Sequence, residues 1–158
     1  MTTPCSKTGQ ELDLGFVGNI AEVDTNEIMN ALENNLVPVI PPLAIEDDKH
    51  TLNINADIAA CKIAQALKAR KLVFLSDVPG ILENPEDENS VISTITVKNV
   101  DSMIEKGIIS GGMAPKIKSA EEALLAGTNK VHIIDGRIQH SLMLEIFTDK
   151  GIGTEIIK

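Results

Sequence analysis

The run Ile108-Ile109-Ser110-Gly111-Gly112-Met113-Ala114-Pro115-Lys116 sets two adjacent glycines before a helical pattern and places a lysine in its first turns. Adjacent glycines let backbone N–H groups approach a ligand closely, and a helix start adds the positive end of its dipole. Cations are disfavoured at such a start by about 0.3–1 kcal/mol each. Lys116 and Lys118 therefore break a local rule. Either a strong anion belongs there, or two exposed lysines bear a small penalty, and the residues weigh equally for both readings. A second constellation is Asn53-Ile54-Asn55-Ala56-Asp57, which opens an alanine-rich pattern. Asn55 or Asp57 alone would serve as a helix N-cap, and three short polar side chains in five residues exceed that need. Ala56, Ala59 and Ala60 would let this start approach a ligand or another backbone. Asp57 is suited to hold a lysine ammonium by charge pairing, with Lys116 the candidate.

Two more polar clusters, Ser76-Asp77-Val78-Pro79-Gly80 and Asp135-Gly136-Arg137, each follow an apolar run. Ligands of open parallel sheets gather outside the carboxyl ends of the strands. Pro-Gly and Asp-Gly are common turn pairs and Asp77 could simply cap a turn, so on pattern alone the plain-turn reading outweighs the functional one at each. Other chemistries fit poorly. The chain has neither a P-loop nor a dinucleotide glycine triplet after a strand. His50, His132 and His140 are scattered without metal-ligand partners, so no metal site is expected. His132, inside an apolar run, reads as a packed core residue, and Cys61 as inert filling within a helix.

The elements that must hold these residues alternate. Leu36-Val37-Pro38-Val39-Ile40, Lys71-Leu72-Val73-Phe74-Leu75, Val131-His132-Ile133-Ile134 and the stretch 154–157 read as strands, although Pro38 weakens the first. Asp24 and Glu27 resemble a capping box opening a helix with Ile28, Ala31 and Leu32 on one face. Helices are also expected over 56–69, over 113–126 with Ile117, Ala120 and Leu124 inward, and over 139–147. Pro115 suits a first helical turn and Gly127 a helix end. This alternation predicts an α/β fold around a mainly parallel sheet. Residues 1–12 read as a flexible arm, and the acidic stretches 46–49 and 83–89 as surface loops.

With 158 residues the chain favours one domain able to bury a core. Its 14 Lys+Arg against 23 Asp+Glu give a net charge of −9, and it has no Tyr or Trp. That balance argues against nucleic acid, which wants a basic stripe and stacking rings, and against an anionic membrane surface. Cys5 and Cys61 are too few for a disulfide framework, and no segment is apolar enough to span a bilayer. A reduced, cytoplasmic setting is the expectation.

Five motifs occur in order: Leu14-Gly15-Phe16-Val17-Gly18, Asn53 to Asp57, Leu75-Ser76-Asp77-Val78-Pro79-Gly80-Ile81-Leu82, Ser110 to Lys116, and His132-Ile133-Ile134-Asp135-Gly136-Arg137. From about residue 14 to the end they resemble the carboxy-terminal part of the acetylglutamate kinases, within the amino acid kinase family. The resemblance implies a three-layer αβα sandwich, with residues 13–158 its ATP-binding lobe. The amino-terminal lobe, with its Lys-x-Gly-Gly phosphate loop, has no counterpart here. It implies phosphorylation of the side-chain carboxylate of N-acetyl-L-glutamate by ATP, with Mg²⁺ carried on the phosphates, in arginine biosynthesis. Lys116 then matches the lysine that stabilises the transferring phosphoryl group, and Asp57 the aspartate that orients the catalytic lysines. Asn53 matches the asparagine that binds acetylglutamate, with Asn55 beside it. Ser76, Asp77, Val78, Pro79, Gly80, Ile81 and Leu82 match segments that hold ATP, together with Ile108, Ile109, Ser110, Gly111 and Gly112. Glu155 stands where the family carries an apolar residue. Full-length members are homo-oligomers; some are inhibited by arginine, near the stretch that residues 140–154 resemble. Some in phototrophs bind a PII-type regulator, which admits a plastid location. The alternatives are another kinase of the family and a non-catalytic nucleotide-binding or regulatory module.

Overall fold

The computed structural model describes residues 2–4, 11–46, 50–148 and 151–158. Two compact units, Met1–Ile63 and Ala64–Lys158, are described in turn.

In the first unit, β1 (Thr2–Pro4) pairs antiparallel with β2 (Glu11–Asp13), with Thr2 opposite Asp13. The stretch read as an arm thus contributes a short strand pair. Helix α1 (Asn26–Glu33) begins where Asp24 Oδ1 accepts the Asn26 N–H at 2.9 Å. Its apolar stripe is only partly covered: Ile28 and Ala31 are half-buried and Leu32 is exposed. The run 36–40 forms no strand. Pro38, Pro41 and Pro42 withhold three N–H donors in and just after it, and a ladder cannot run through them. Pairing begins one residue later, between β3 (Leu43–Glu46) and β4 (His50–Asn53), antiparallel with Leu43 opposite Asn53. Of the acidic stretch 46–49, Glu46 closes β3 and the rest lies outside the described residues.

Helix α2 (Ala56–Ala66) starts as the sequence indicates, with Asn55 Oδ1 accepting the N–H groups of Asp57 (2.9 Å) and Ile58 (3.2 Å). It stops three residues short of the expected end. The Lys68 N–H closes on Gln65 O (3.1 Å) and the Ala69 N–H on Ala64 O (2.8 Å), with Lys68 at φ +48°. This is a Schellman ending without its usual glycine.

The second unit is built on a four-stranded sheet of β5 (Lys71–Ser76), β6 (Thr94–Thr96), β7 (Lys130–Asp135) and β8 (Thr154–Ile157) in the order β5-β7-β8-β6. The pairs β5–β7 and β6–β8 are parallel, and β7–β8 is an antiparallel seam. Helices α3 (Val97–Glu105), α4 (Met113–Leu125) and α5 (Ser141–Phe147) cover it. Every residue of β7 after Lys130 is buried, as expected of a strand covered on both faces. His132 meets Glu145 of α5, so the period-two alternation turns Val131 and Ile133 to the opposite face, where α4 packs. The result is helix, sheet, helix: the expected three layers. Helix α4 buries Ile117, Ala120, Ala123 and Leu124 and ends at Gly127, whose φ of +128° suits glycine.

Candidate functional site

Strands β5 and β7 run in register from Lys71 opposite Lys130 to Ser76 opposite Asp135, so their carboxyl ends fall on one edge. Just past that edge the Gly136 N–H donates to Ser76 O at 2.8 Å. Asp135 accepts from the Arg137 N–H (2.8 Å), Nε (2.9 Å) and Nη2 (2.8 Å), a bidentate clasp between neighbours. That clasp holds the Asp135 carboxyl below its ordinary range and raises the Arg137 guanidinium. Asp135-Gly136-Arg137 is thus a turn that satisfies itself.

Helix α4 aims its start at the same edge. Its N-cap, Gly112, supplies no side chain, so no side-chain cap satisfies the first N–H groups of the helix. One turn in, the Lys116 ammonium lies 4.9 Å from the centroid of the Phe74 ring, within cation–π range. Phe74 stands on the α4 face of β5, paired with Ile133, and is buried. Lys118 diverges: it bonds Asp101 of α3 and Glu121 at 3.2 Å, which raise its pKa. Of the two lysines, Lys116 is the one that lines this edge.

The strand end, the glycine turn and the lysine enclose a cleft of about 590 Å³ lined by Leu75, Ser76, Asp77, Val78, Ser110, Gly112, Met113 and Lys116. Of the residues expected to hold a nucleotide, Ser76, Asp77, Val78, Ser110 and Gly112 line it with Lys116. Leu75 and Met113 join them, missed by the sequence reading because neither carries a polar signal. Pro79, Gly80, Ile81, Leu82, Ile108, Ile109 and Gly111 do not line it. Ile81 and Ile109 are buried, and the Ile81 N–H donates to Thr154 Oγ1 at 2.8 Å. Leu82 bridges to Val91, and Gly111 makes the turn at φ +55°. These residues shape the loops around the cleft.

Asn53, Asn55 and Asp57 lie in the first unit. The Asn53 N–H donates to Phe16 O (2.8 Å) and its C=O accepts from Gly18 (3.1 Å). Asn55 spends its side-chain oxygen on the α2 cap, and Asp57 sits half-buried in the first turn of α2.

A second cleft, of about 390 Å³, opens on the α5 face of the sheet and is lined by Lys71, Ser93, Thr94, His132, Glu145, Thr148, Gly151, Gly153 and Glu155. Glu145, only 4% exposed in its side chain, bonds the Lys71 ammonium at 3.1 Å and His132 Nδ1 at 2.6 Å. Burial pushes His132 below its ordinary value against the pull of Glu145, with Lys71 and Lys130 adding to the fall. Lys130 bonds Glu155 at 2.6 Å and holds its carboxyl low. His132 is therefore buried, as expected, but within an ionic cluster. Spacing gave no warning of it, because Lys71, His132 and Glu145 meet only through strand pairing and helix docking.

Among the described residues no group of three His, Cys, Asp or Glu side chains could hold a metal ion, and no helix is long and apolar enough to cross a membrane. A lysine over a buried ring, beside a helix start with no side-chain cap at the carboxyl ends of parallel strands, suits a compact anion. The chain belongs to the amino acid kinase family, whose profile matches residues 2–135. Within it, the chain is 49% identical to the acetylglutamate kinase of Syntrophomonas wolfei over 144 residues, 91% of this chain and 50% of that protein. It is 50% identical to that of Methanobrevibacter smithii over 149 residues, 94% of this chain and 51% of that one. The chain thus spans about half the length of the curated relatives it matches. Among solved structures, N-acetylglutamate synthase from Neisseria gonorrhoeae, complexed with coenzyme A and L-arginine, superposes at TM-score 0.83 and 29% identity, over 99% of this chain and 36% of that one. Carbamate kinase from Giardia lamblia bound to AMP-PNP shares the fold at TM-score 0.65 and 21% identity, over 100% of this chain and 52% of that one.

Proposed function

We propose that this chain is the nucleotide-binding half of an acetylglutamate kinase, which moves the γ-phosphoryl group of ATP to the side-chain carboxylate of N-acetyl-L-glutamate. The observation that carries the reading is Lys116, set over Phe74 at the uncapped start of α4 in the cleft at the carboxyl end of β5. Identities near 50% to acetylglutamate kinases supply the substrates. Residues 13–158 then form the carboxy-terminal lobe, acting in the cytoplasm.

The acceptor carboxylate, with a reference pKa of about 4.3, is already ionised at neutral pH. No general base is required. A carboxylate oxygen attacks the γ-phosphorus in line, the bond to the β–γ bridging oxygen breaks, and ADP leaves with the bond pair. The barrier is then set by alignment and by charge spread over the three equatorial oxygens. Lys116 and the N–H groups at the start of α4 would meet that charge, and Ser76, Asp77, Val78 and Ser110 would hold the rest of the nucleotide. Asn53 would bind acetylglutamate, joined by the Asn55 side-chain NH₂, because its oxygen is engaged in the α2 cap. Asp57 would orient the lysine. The described residues offer no cage for Mg²⁺, so the ion would arrive on the ATP phosphates, and no step above is assigned to it.

The reading extends to the second cleft. Glu145, Thr148, Gly151 and Gly153 belong to the stretch that resembles the arginine-binding part of the family, and all four line that cleft. Carboxylates such as Glu145 and Glu155 match a guanidinium fork.

The test is a chimera in which this chain replaces the matching half of the Syntrophomonas wolfei enzyme, with hydroxylamine trapping of the acyl phosphate. We expect turnover, and a fall of about 10²–10³ for Lys116→Ala with little change in ATP affinity. Unchanged turnover in Lys116→Ala would remove that lysine from the mechanism. The fit to a synthase favours a second reading, a non-catalytic regulatory domain on the same fold. A folded chimera that binds ATP or arginine but makes no acyl phosphate would select it.

A further inference from the structure

We propose that Phe16 and His50, stacked ring on ring, are positioning residues that hold Asn53 ready for N-acetyl-L-glutamate. The inference rests on the reading above for the role of Asn53, while the clasp itself stands on contacts within the first unit. Leu14-Gly15-Phe16-Val17-Gly18 carries no polar side chain, and the chemistry above gives it no part. Its place in the fold gives it another task. Val17 bridges to Asn53 in parallel register. The Asn53 N–H donates to Phe16 O at 2.8 Å, and the Asn53 C=O accepts from the Gly18 N–H at 3.1 Å. Both peptide groups of Asn53 are thus bonded to this one segment, while Leu43 of β3 stands opposite Asn53 in the hairpin.

Two hydrogen bonds make a short ladder, and the rings extend its grip. The Phe16 and His50 rings stack with centroids 5.6 Å apart and planes 22° from parallel, within the range of favourable aromatic pairs. His50 opens β4, three residues before Asn53. Along a strand His50 and Leu52 share one face and Asn53 takes the other. Leu52 packs directly on the same segment, since a Cβ built on Gly18 would stand 2.5 Å from Leu52 Cδ1. The rings and Leu52 therefore cover the segment from the face of β4 opposite the Asn53 side chain. They do not touch what that side chain binds, and they act through the backbone.

Phe16 is 66% exposed and His50 is exposed as well, so the stack adds little to the core. Its loss frees the segment locally and leaves the unit folded. An aromatic pair of this kind shifts a local equilibrium by a factor of about 2–10. A ligand's apparent affinity falls with the fraction of protein in the competent arrangement, so that factor bounds the effect on acetylglutamate.

Amide exchange in this chain reads the clasp, and steady-state kinetics of the Syntrophomonas wolfei chimera read its use. His50→Ala should speed exchange of the Asn53 and Gly18 amides by about 3–10-fold. It should raise KM for acetylglutamate by a similar factor, with kcat and KM for ATP held within about twofold. His50→Phe keeps a stacking ring and should restore both readouts. Phe16→Ala should match His50→Ala, and the double variant should be no worse than either single one. Unchanged amide exchange, an unchanged KM for acetylglutamate in an active chimera, equal rises in both KM values, failed rescue by phenylalanine, or additive single variants would each overturn the proposal. An active chimera alongside any of those results leaves the kinase reading standing. A folded chimera that makes no acyl phosphate refutes the kinase reading, and this role for the rings falls with it.

Discussion

Thr154→Val tests how the loop beyond β5 is held. Thr154 is 1% exposed and begins β8, opposite Ile133 of β7. Its Oγ1 accepts the Ile81 N–H at 2.8 Å, a bond between residues 73 positions apart in the chain. Ile81 is 2% exposed, so water cannot replace the hydroxyl. Gly80 fits against the same oxygen, since a Cβ built there would stand 2.8 Å from it. Valine keeps the volume and removes the acceptor, and a buried N–H left unpaired costs about 1–3 kcal/mol. With about 2–4 °C of midpoint per kcal/mol for a chain of this size, the central expectation is a fall of about 4–8 °C. Thr154→Ser keeps the oxygen and loses one methyl group, about 1 kcal/mol. Amide exchange separates the two: the Ile81 N–H should stay protected in the serine variant and exchange quickly in the valine variant. The substitution should also loosen Ser76, Asp77 and Val78 in the cleft and weaken ATP-analogue binding. A valine variant that melts with the wild type and keeps Ile81 protected would refute the reasoning.

Gly153→Ala should cost more than Thr154→Val, because φ is +122° and the added Cβ would fall 2.2 Å from Ile133 O; loss of the cooperative transition in urea is the expected result, and a midpoint within error of wild type would contradict it. Acidification below about pH 6.5 should destabilise the protein through His132: its folded pKa lies below the unfolded value, so in that window the unfolded chain binds the extra proton. The contribution is at most about 1.4 kcal/mol per pH unit and is complete above about pH 6.5, so in urea titrations the stability of wild type relative to His132→Gln should be greater at pH 7.5 than at pH 5.5; an equal difference at both would oppose this. Glu145→Gln leaves Lys71 and His132 without their shared carboxylate and should destabilise by about 3 kcal/mol, the low end for a broken buried pair because Lys71 is 35% exposed; a midpoint change under 1 °C in calorimetry would oppose this.

What the sequence shows of the fold follows from how local its causes are. The starts of α2 and α4 are legible because Asn55 bonds two N–H groups within three residues, and the Gly111-Gly112 turn leads directly into the helix. Strands β5 and β7 are legible because two-sided burial leaves an unbroken apolar run. Strand β6 and helix α3 escape notice for different reasons: Thr94–Thr96 is only three residues long, whereas Val97, Val100, Met103 and Ile104 do recur at helical spacing along α3 and their short stripe went unread. The end of α2 is misjudged because alanine-rich sequence continues past Lys68, while the closure that stops the helix is a backbone event at a residue ordinarily helical.

The site divides along the same line. Ser110, Gly112 and Lys116 lie within seven residues of one another and read together as a candidate anion site, whereas the Phe74 ring beneath the ammonium comes from a strand more than forty residues away and looks in sequence like any core aromatic. Asp135-Gly136-Arg137 shows the converse: residues that read as chemistry turn out to satisfy one another within a single turn, their charges cancelled by a bond of 2.8 Å. The cluster of Lys71, His132 and Glu145 had no local signature, since each residue lies among ordinary neighbours and only the pairing of β5 with β7, and the seating of α5, makes them one network. Polar residues close in sequence can discharge their charges on each other, so their proximity overstates function. Ionisable residues far apart can meet only if tertiary packing repays their desolvation, and the composition of each segment does not record that repayment. Lys116 escapes both limits: its helix start makes the charge locally unfavourable, and the fold supplies the ring that holds it in place.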